Sequence, residues 1–153
     1  MARHVWSVLC RKAIVDQDNQ VSLFEVVEGI TLTGVIPPKR STINIGIQFM
    51  TSWIRTDLDV PEDPSKCRAR IIAPDGERSR ETPEGLLKLD TAPRARWTLV
   101  VQSMPFFGAG LYEFEVERQH ADGTWHVDAR VPMNIELKPN EAERTSSTRT
   151  RKK

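Results

Sequence analysis

The chain is poor in the residue types that most often carry chemistry. Of its 153 residues, three are histidine, two cysteine and one tyrosine. His4, His120 and His126 have no partner at i+2 or i+4, so no two of them form a ligand pair of the usual spacing. Cys10 and Cys67 cannot make a disulfide framework, and with 39% hydrophobic residues the chain needs none to bury a core. No GxSxG elbow is present. The glycines of FFGAG (106–110) precede a strand-like segment, whereas phosphate and dinucleotide loops need a helix to follow. No run approaches the roughly 18 apolar residues of a membrane span. The opening MARHVWSVLC lacks the uninterrupted apolar stretch of a signal peptide. These absences predict a cytoplasmic chain with reduced thiols, no membrane span, no cofactor and no enzymatic activity.

What the sequence does have is alternation. Between residues 109 and 137, Tyr112, Phe114 and Val116 alternate with Glu113, Glu115 and Glu117. Trp125, Val127, Ala129, Val131, Met133, Ile135 and Leu137 then alternate with polar residues and one proline. A period of two places each set on one face of a strand. Asp122-Gly123 is a preferred pair for a two-residue hairpin turn. That turn would set Val116 opposite Ala129, Phe114 opposite Val131, Tyr112 opposite Met133 and Glu115 opposite Arg130. It would also set Glu117 against Asp128, an unfavourable pair unless a basic side chain lies alongside.

Similar segments run through the rest of the chain. Residues 4–15, 41–54, 67–73 and 94–103 alternate, and a short strand is expected near 86–89. Residues 21–32 change parity midway, which a bulge within one strand would reconcile. Ser22 and Glu25 also match a capping box, but the β-branched content favours a strand. Pro37-Pro38 is a stiff connection and Pro74-Asp75-Gly76 a turn. Cys10 and Cys67 fall on the parity expected to face inward, as do Trp53, Trp97 and Trp125. The predicted fold is all-β: a two-layer antiparallel β-sandwich of about eight strands, forming one domain over residues 1–138.

Residues 139–153 are expected to be a disordered basic tail, since Ala142 is their sole apolar residue beyond Pro139. Residues 138–153 carry six basic and two acidic side chains, net +4, against 16 and 19 in the rest, net −3. Such a tail can touch nucleic acid or an anionic surface, though a few arginines give weak, salt-sensitive contacts.

Two further features are candidates for binding. Asp16 and Asp18 share one polar turn, and Asp57 and Asp59 share an acidic loop. Calcium takes carboxylates converging from loops, as in C2-type sandwiches. An EF-hand is excluded, because the sixth position from Asp16 is Val21 and the twelfth is Val27. Phe106 and Phe107 form either an exposed contact for a partner or a plug tucked under the sandwich.

WSVLCRKAIVDQDNQVSLFEVVEGI, the Pro37-Pro38 step, PDG at 74–76 and GAGLYEFEV running to WHVDARVPMNIEL together resemble a family of short bacterial all-β proteins of unknown function. The resemblance spans most of residues 4–137 and implies a sandwich fold and a bacterial cytoplasmic setting. It carries over no catalytic residue. The expected function is a non-enzymatic β-sandwich that binds another protein. The alternative is a C2-like module that responds to calcium or lipid through its acidic loops.

Overall fold

Alternation becomes two sheets packed face to face. The computed structural model describes residues 2–140, and these form nine strands and no helix. They are β1 (Arg3–Val15), β2 (Val21–Val26), β3 (Gly29–Thr33), β4 (Thr42–Ile54), β5 (Ser65–Ile72), β6 (Gly85–Leu87), β7 (Arg94–Pro105), β8 (Gly110–Gln119) and β9 (Trp125–Lys138). One sheet has the order β2-β1-β4-β7, and the other β3-β9-β8-β5-β6. Ladders are antiparallel except β3 with β9, which run parallel. The core between the sheets includes Leu9, Phe49, Trp53, Leu87, Tyr112, Phe114, Met133 and Ile135. Among the described residues no helix is long and apolar enough to cross a membrane. Residues 141–153, most of the predicted tail, lie outside those described.

The parity change in 21–32 has a different cause from the bulge expected there. β2 pairs with β1 in one sheet, and β3 pairs with β9 in the other. The chain crosses between sheets at Val27 and Glu28. Val27 is buried and donates its N–H to Leu9 O at 2.8 Å, while Glu28 O accepts from Asn134 N at 3.0 Å. One expected strand is therefore two, which raises the count to nine.

The facing of β1 is also the reverse of that expected. Leu9 pairs with Phe49 and joins the core, so Cys10, paired with Gln48, lies on the outer side of its sheet. Cys10, Met50 and Ser52 are nevertheless buried. The β1–β2 hairpin accounts for this. At its tip, Arg96 Nη1 donates to Asn19 Oδ1 at 2.6 Å and Arg96 Nη2 to Asn19 O at 3.0 Å. Arg96 is on β7, two strands from β1, so the hairpin folds back across the outer face. Alternation gives the two faces of a strand; it cannot say which is covered, and here both are.

The β8–β9 hairpin keeps four of the five expected pairings. Tyr112–Met133, Phe114–Val131, Glu115–Arg130 and Val116–Ala129 stand opposite each other. Nearer the turn the register shifts, and Glu117 pairs with Val127 instead of Asp128. The turn is one residue longer than expected: His120 N–H donates to Thr124 O and Gly123 N–H to His120 O, with Gly123 at φ 84°. A three-residue loop ending in a left-handed glycine is a common hairpin connection. The bulge at Asp128 restores the outer register and removes the acidic pair that a two-residue turn would have forced.

Candidate functional site

Inserting one residue in β9 inverts the facing of everything between the bulge and the turn. Trp125, expected inside, instead lies on the outer face, with the Arg68 guanidinium 4.0 Å from its ring centroid. Asp128, expected outside, turns inward. Its Oδ2 accepts from Trp53 Nε1 at 2.6 Å and from Arg118 Nε at 2.8 Å. Trp53 belongs to one sheet and Arg118 to the other, so a single carboxylate joins the two layers.

Other polar groups extend this interior network. The His4 ring meets Trp53 edge-on, with centroids 5.9 Å apart and planes at 78°. His4 Nε2 lies 2.8 Å from Ser7 Oγ, and Ser7 Oγ donates to Thr51 Oγ1 at 2.8 Å. Burial lowers the His4 pKa, against the opposing pull of Asp128. Burial likewise pushes the Cys67 thiol up to about 12, so it is a protonated, unreactive core residue.

Serine, histidine and aspartate are thus near one another without forming a nucleophilic relay. A relay needs the base to take the serine proton and the carboxylate to orient the base. Here Ser7 Oγ is shared between His4 Nε2 and Thr51 Oγ1, and Asp128 is bonded to Trp53 and Arg118, with no hydrogen bond to the His4 ring among the described residues, so the carboxylate does not orient the imidazole. The cluster ties the sheets together.

On the outer face of the five-stranded sheet, charges alternate across the strands. Arg130 Nε donates to Glu115 Oε2 at 2.9 Å. Arg68 Nε and Arg70 Nη2 donate to Glu117 Oε2 at 2.7 and 2.9 Å. Glu115 is fully buried, with Arg70 and Arg78 at 3.7 and 3.9 Å from its other oxygen. Burial alone would raise the Glu117 pKa, but the hydrogen bonds from Arg70 and Arg68 outweigh it and hold the carboxyl below its ordinary value. These pairs follow from the cross-strand register, and Glu115–Arg130 was legible in the sequence.

The sandwich has an opening of about 760 Å³ lined by Lys66, Leu86, Arg118 and His120, and a second along the side of β7. Between β7 and the strip 79–82 beside β5 lies a groove of about 520 Å³. Ala69, Ile71, Leu99, Val101 and Phe114 form its floor, while Arg80, Glu81, Gln102 and Ser103 are on its rim. It reaches the core because β5 and β7 end their sheets differently. β5 continues to β6 and is bordered by Ser79 and Thr82, whose N–H groups donate to Ile71 O and Ala69 O. β7 pairs with β4 alone among the described strands, which leaves its other edge unpaired. Nearer the start of β7, Trp97 packs against Gly85 and closes the gap.

The residues singled out by sequence fall elsewhere. Phe106 is buried and Phe107 packs against the core. The Tyr112 hydroxyl pins their loop, accepting from Phe107 N–H and donating to Gly108 O, each at 2.8 Å. The plugged arrangement is therefore the one adopted, and no exposed phenylalanine pair remains for a partner. Asp16 Oδ1 accepts from the N–H groups of Asp18 and Gln20, and Asp57 Oδ1 from that of Asp59. These aspartates cap their own turns. Among the described residues no three histidine, cysteine, aspartate or glutamate side chains converge in a way that could hold a metal ion. His120 and His126 stack with centroids 3.9 Å apart. Sequence spacing alone hid this contact, because the longer turn creates it.

No family model matches the sequence, and no curated protein matches it. Among solved structures, the chain is similar to the crystal structure of the PmoD soluble domain from Methylocystis sp. ATCC 49242 (Rockwell). The identity is 12% and the TM-score 0.35, over 88% of this chain and 98% of that one. So loose a likeness says nothing about function.

Proposed function

We propose that the protein is a non-enzymatic β-sandwich module that binds another protein, in a bacterial cytoplasmic setting. The observation supporting this reading is the unpaired edge of β7 beside the apolar groove. An edge strand offers free N–H and C=O groups to an added strand, and pockets beside it select alternate side chains. β7 is 12 residues long, and Leu99 and Val101 point into the groove next to its free edge. The partner segment is then extended, with apolar side chains at every second position.

Selection of random peptides displayed in extended form tests this reading. Peptides that bind are expected to alternate apolar and polar residues and to shift the amide resonances of Leu99–Ser103 together with Ile71 and Phe114. Failure to enrich any peptide, or shifts confined to other strands, contradicts it.

A further inference from the structure

The groove beside β7 carries a charge that nothing in the fold answers. Three charged residues line it, Arg70, Arg80 and Glu81. Arg70 Nη2 donates to Glu117 Oε2 at 2.9 Å and to Glu81 Oε1 at 3.0 Å. Glu81 Oε1 also lies 3.7 Å from Arg68 Nη1. Arg80 is exposed, and its side chain forms no hydrogen bond or ion pair among the described residues. The backbone around it is held to β5. The N–H groups of Ser79 and Thr82 donate to Ile71 O and Ala69 O at 2.8 and 2.9 Å. Their hydroxyls accept from the N–H groups of Ile71 and Ala69 at 2.8 and 3.0 Å. Residues 80 and 81 bridge these two clamps, so the Arg80 side chain starts from a fixed point on the rim.

β7 adds charge of the same sign. Its sequence RARWTLVVQSMP holds two arginines and no acid. Arg96 is bonded to the neutral Asn19, and Arg94 is exposed. Asp18 borders the same hollow as these two arginines, but neither of them forms an ion pair among the described residues. The free edge and the rim facing it therefore present Arg80, Arg94 and Arg96 with no paired carboxylate.

Resting on the strand-accepting reading of β7, we propose that the protein segment it takes is acidic. The segment is apolar where its side chains enter the groove, and it carries carboxylates that meet Arg80 at the rim and Arg94 and Arg96 along the edge. The floor of Leu99, Val101 and Phe114 has no group to pair a buried charge, so the acids belong at the margins. A rim charge acts chiefly through the association rate and through rejection of like-charged partners. A second copy of this chain, pairing through its own β7, brings two more arginines and no acid. Charge therefore works against self-association at this edge.

Peptide selection on two forms of the full chain tests the proposal: the wild type, and Arg80→Glu combined with Arg94→Glu. Both positions are exposed, so the melting temperature should not change. Peptides held by the wild type should be enriched in aspartate and glutamate, and the charge-reversed variant should exchange that preference for lysine and arginine. For one selected acidic peptide, Arg80→Gln should weaken binding about two- to fivefold, mostly through slower association. Added salt should erase the difference. Peptides that shift Leu99–Ser103 but show no acidic preference overturn the proposal and leave the strand-accepting reading standing. An acidic preference unchanged by the charge reversal does the same. Selection of no peptide at all overturns both.

Discussion

Removing the Asp128 carboxylate tests the least expected feature of the fold. The group is engaged by Trp53 Nε1 at 2.6 Å and Arg118 Nε at 2.8 Å. The Arg118 and Asp128 side chains are only 7% and 11% exposed, so water cannot take over. Asp128→Ala leaves a buried guanidinium without its counter-charge, which costs about 3–5 kcal/mol. The unpaired indole N–H adds to this, but the losses share one site and do not sum. The expected total is therefore about 3–5 kcal/mol, a large part of the roughly 5–15 kcal/mol that holds a domain together. Asp128→Asn keeps an acceptor and loses only the charge, so about 1.5–3 kcal/mol is expected. Urea titration gives both values from the shift in midpoint at constant slope. A loss below about 1 kcal/mol for Asp128→Ala would refute the reasoning, because it is what a solvent-facing aspartate would give.

Other outcomes follow from the same geometry. Trp53→Ala should cost about 3–5 kcal/mol, whereas Trp125→Ala should cost about 0.5–2 kcal/mol because that ring holds a cation–π contact outside the core. Equal losses in denaturant titration would contradict the assigned facing. Burial places the folded-state pKa of His4 below its unfolded value, so the unfolded chain binds more protons on acidification. The associated stability is complete above about pH 6.5 and is lost as pH falls through the lower folded value. Thermal melts should therefore fall less steeply with acidification for His4→Gln than for the wild type, and parallel curves would contradict this. Calcium should leave the melting temperature unchanged, since Asp16 and Asp57 cap their own turns. A rise with calcium that Asp57→Asn abolishes would restore the C2-like alternative.

The sequence carried the strands and most of the pairing. Tyr112, Phe114 and Val116 sit inside, and Glu115 faces Arg130, because strict alternation and a hairpin turn leave little freedom. What it did not carry were single-residue departures with large consequences. The Glu117–Asp128 clash was the one warning of the bulge, and an insertion beside it reverses Trp125 and Asp128 together. Residues 21–32 looked like one bulged strand because a sheet crossing and a bulge change parity in the same way. The groove was not legible at all. It depends on which strand ends each sheet, and strand order is set by long-range packing that local pattern does not encode.

The reading of the protein as a strand-accepting module stands on the free edge of β7. Amide hydrogen exchange across β7, with and without a selected groove-binding peptide, measures that edge directly. Slowed exchange at alternate amides between Leu99 and Ser103, with the β4-paired amides between them little changed, is the predicted result. Unchanged protection along β7 while the peptide is bound would contradict the account.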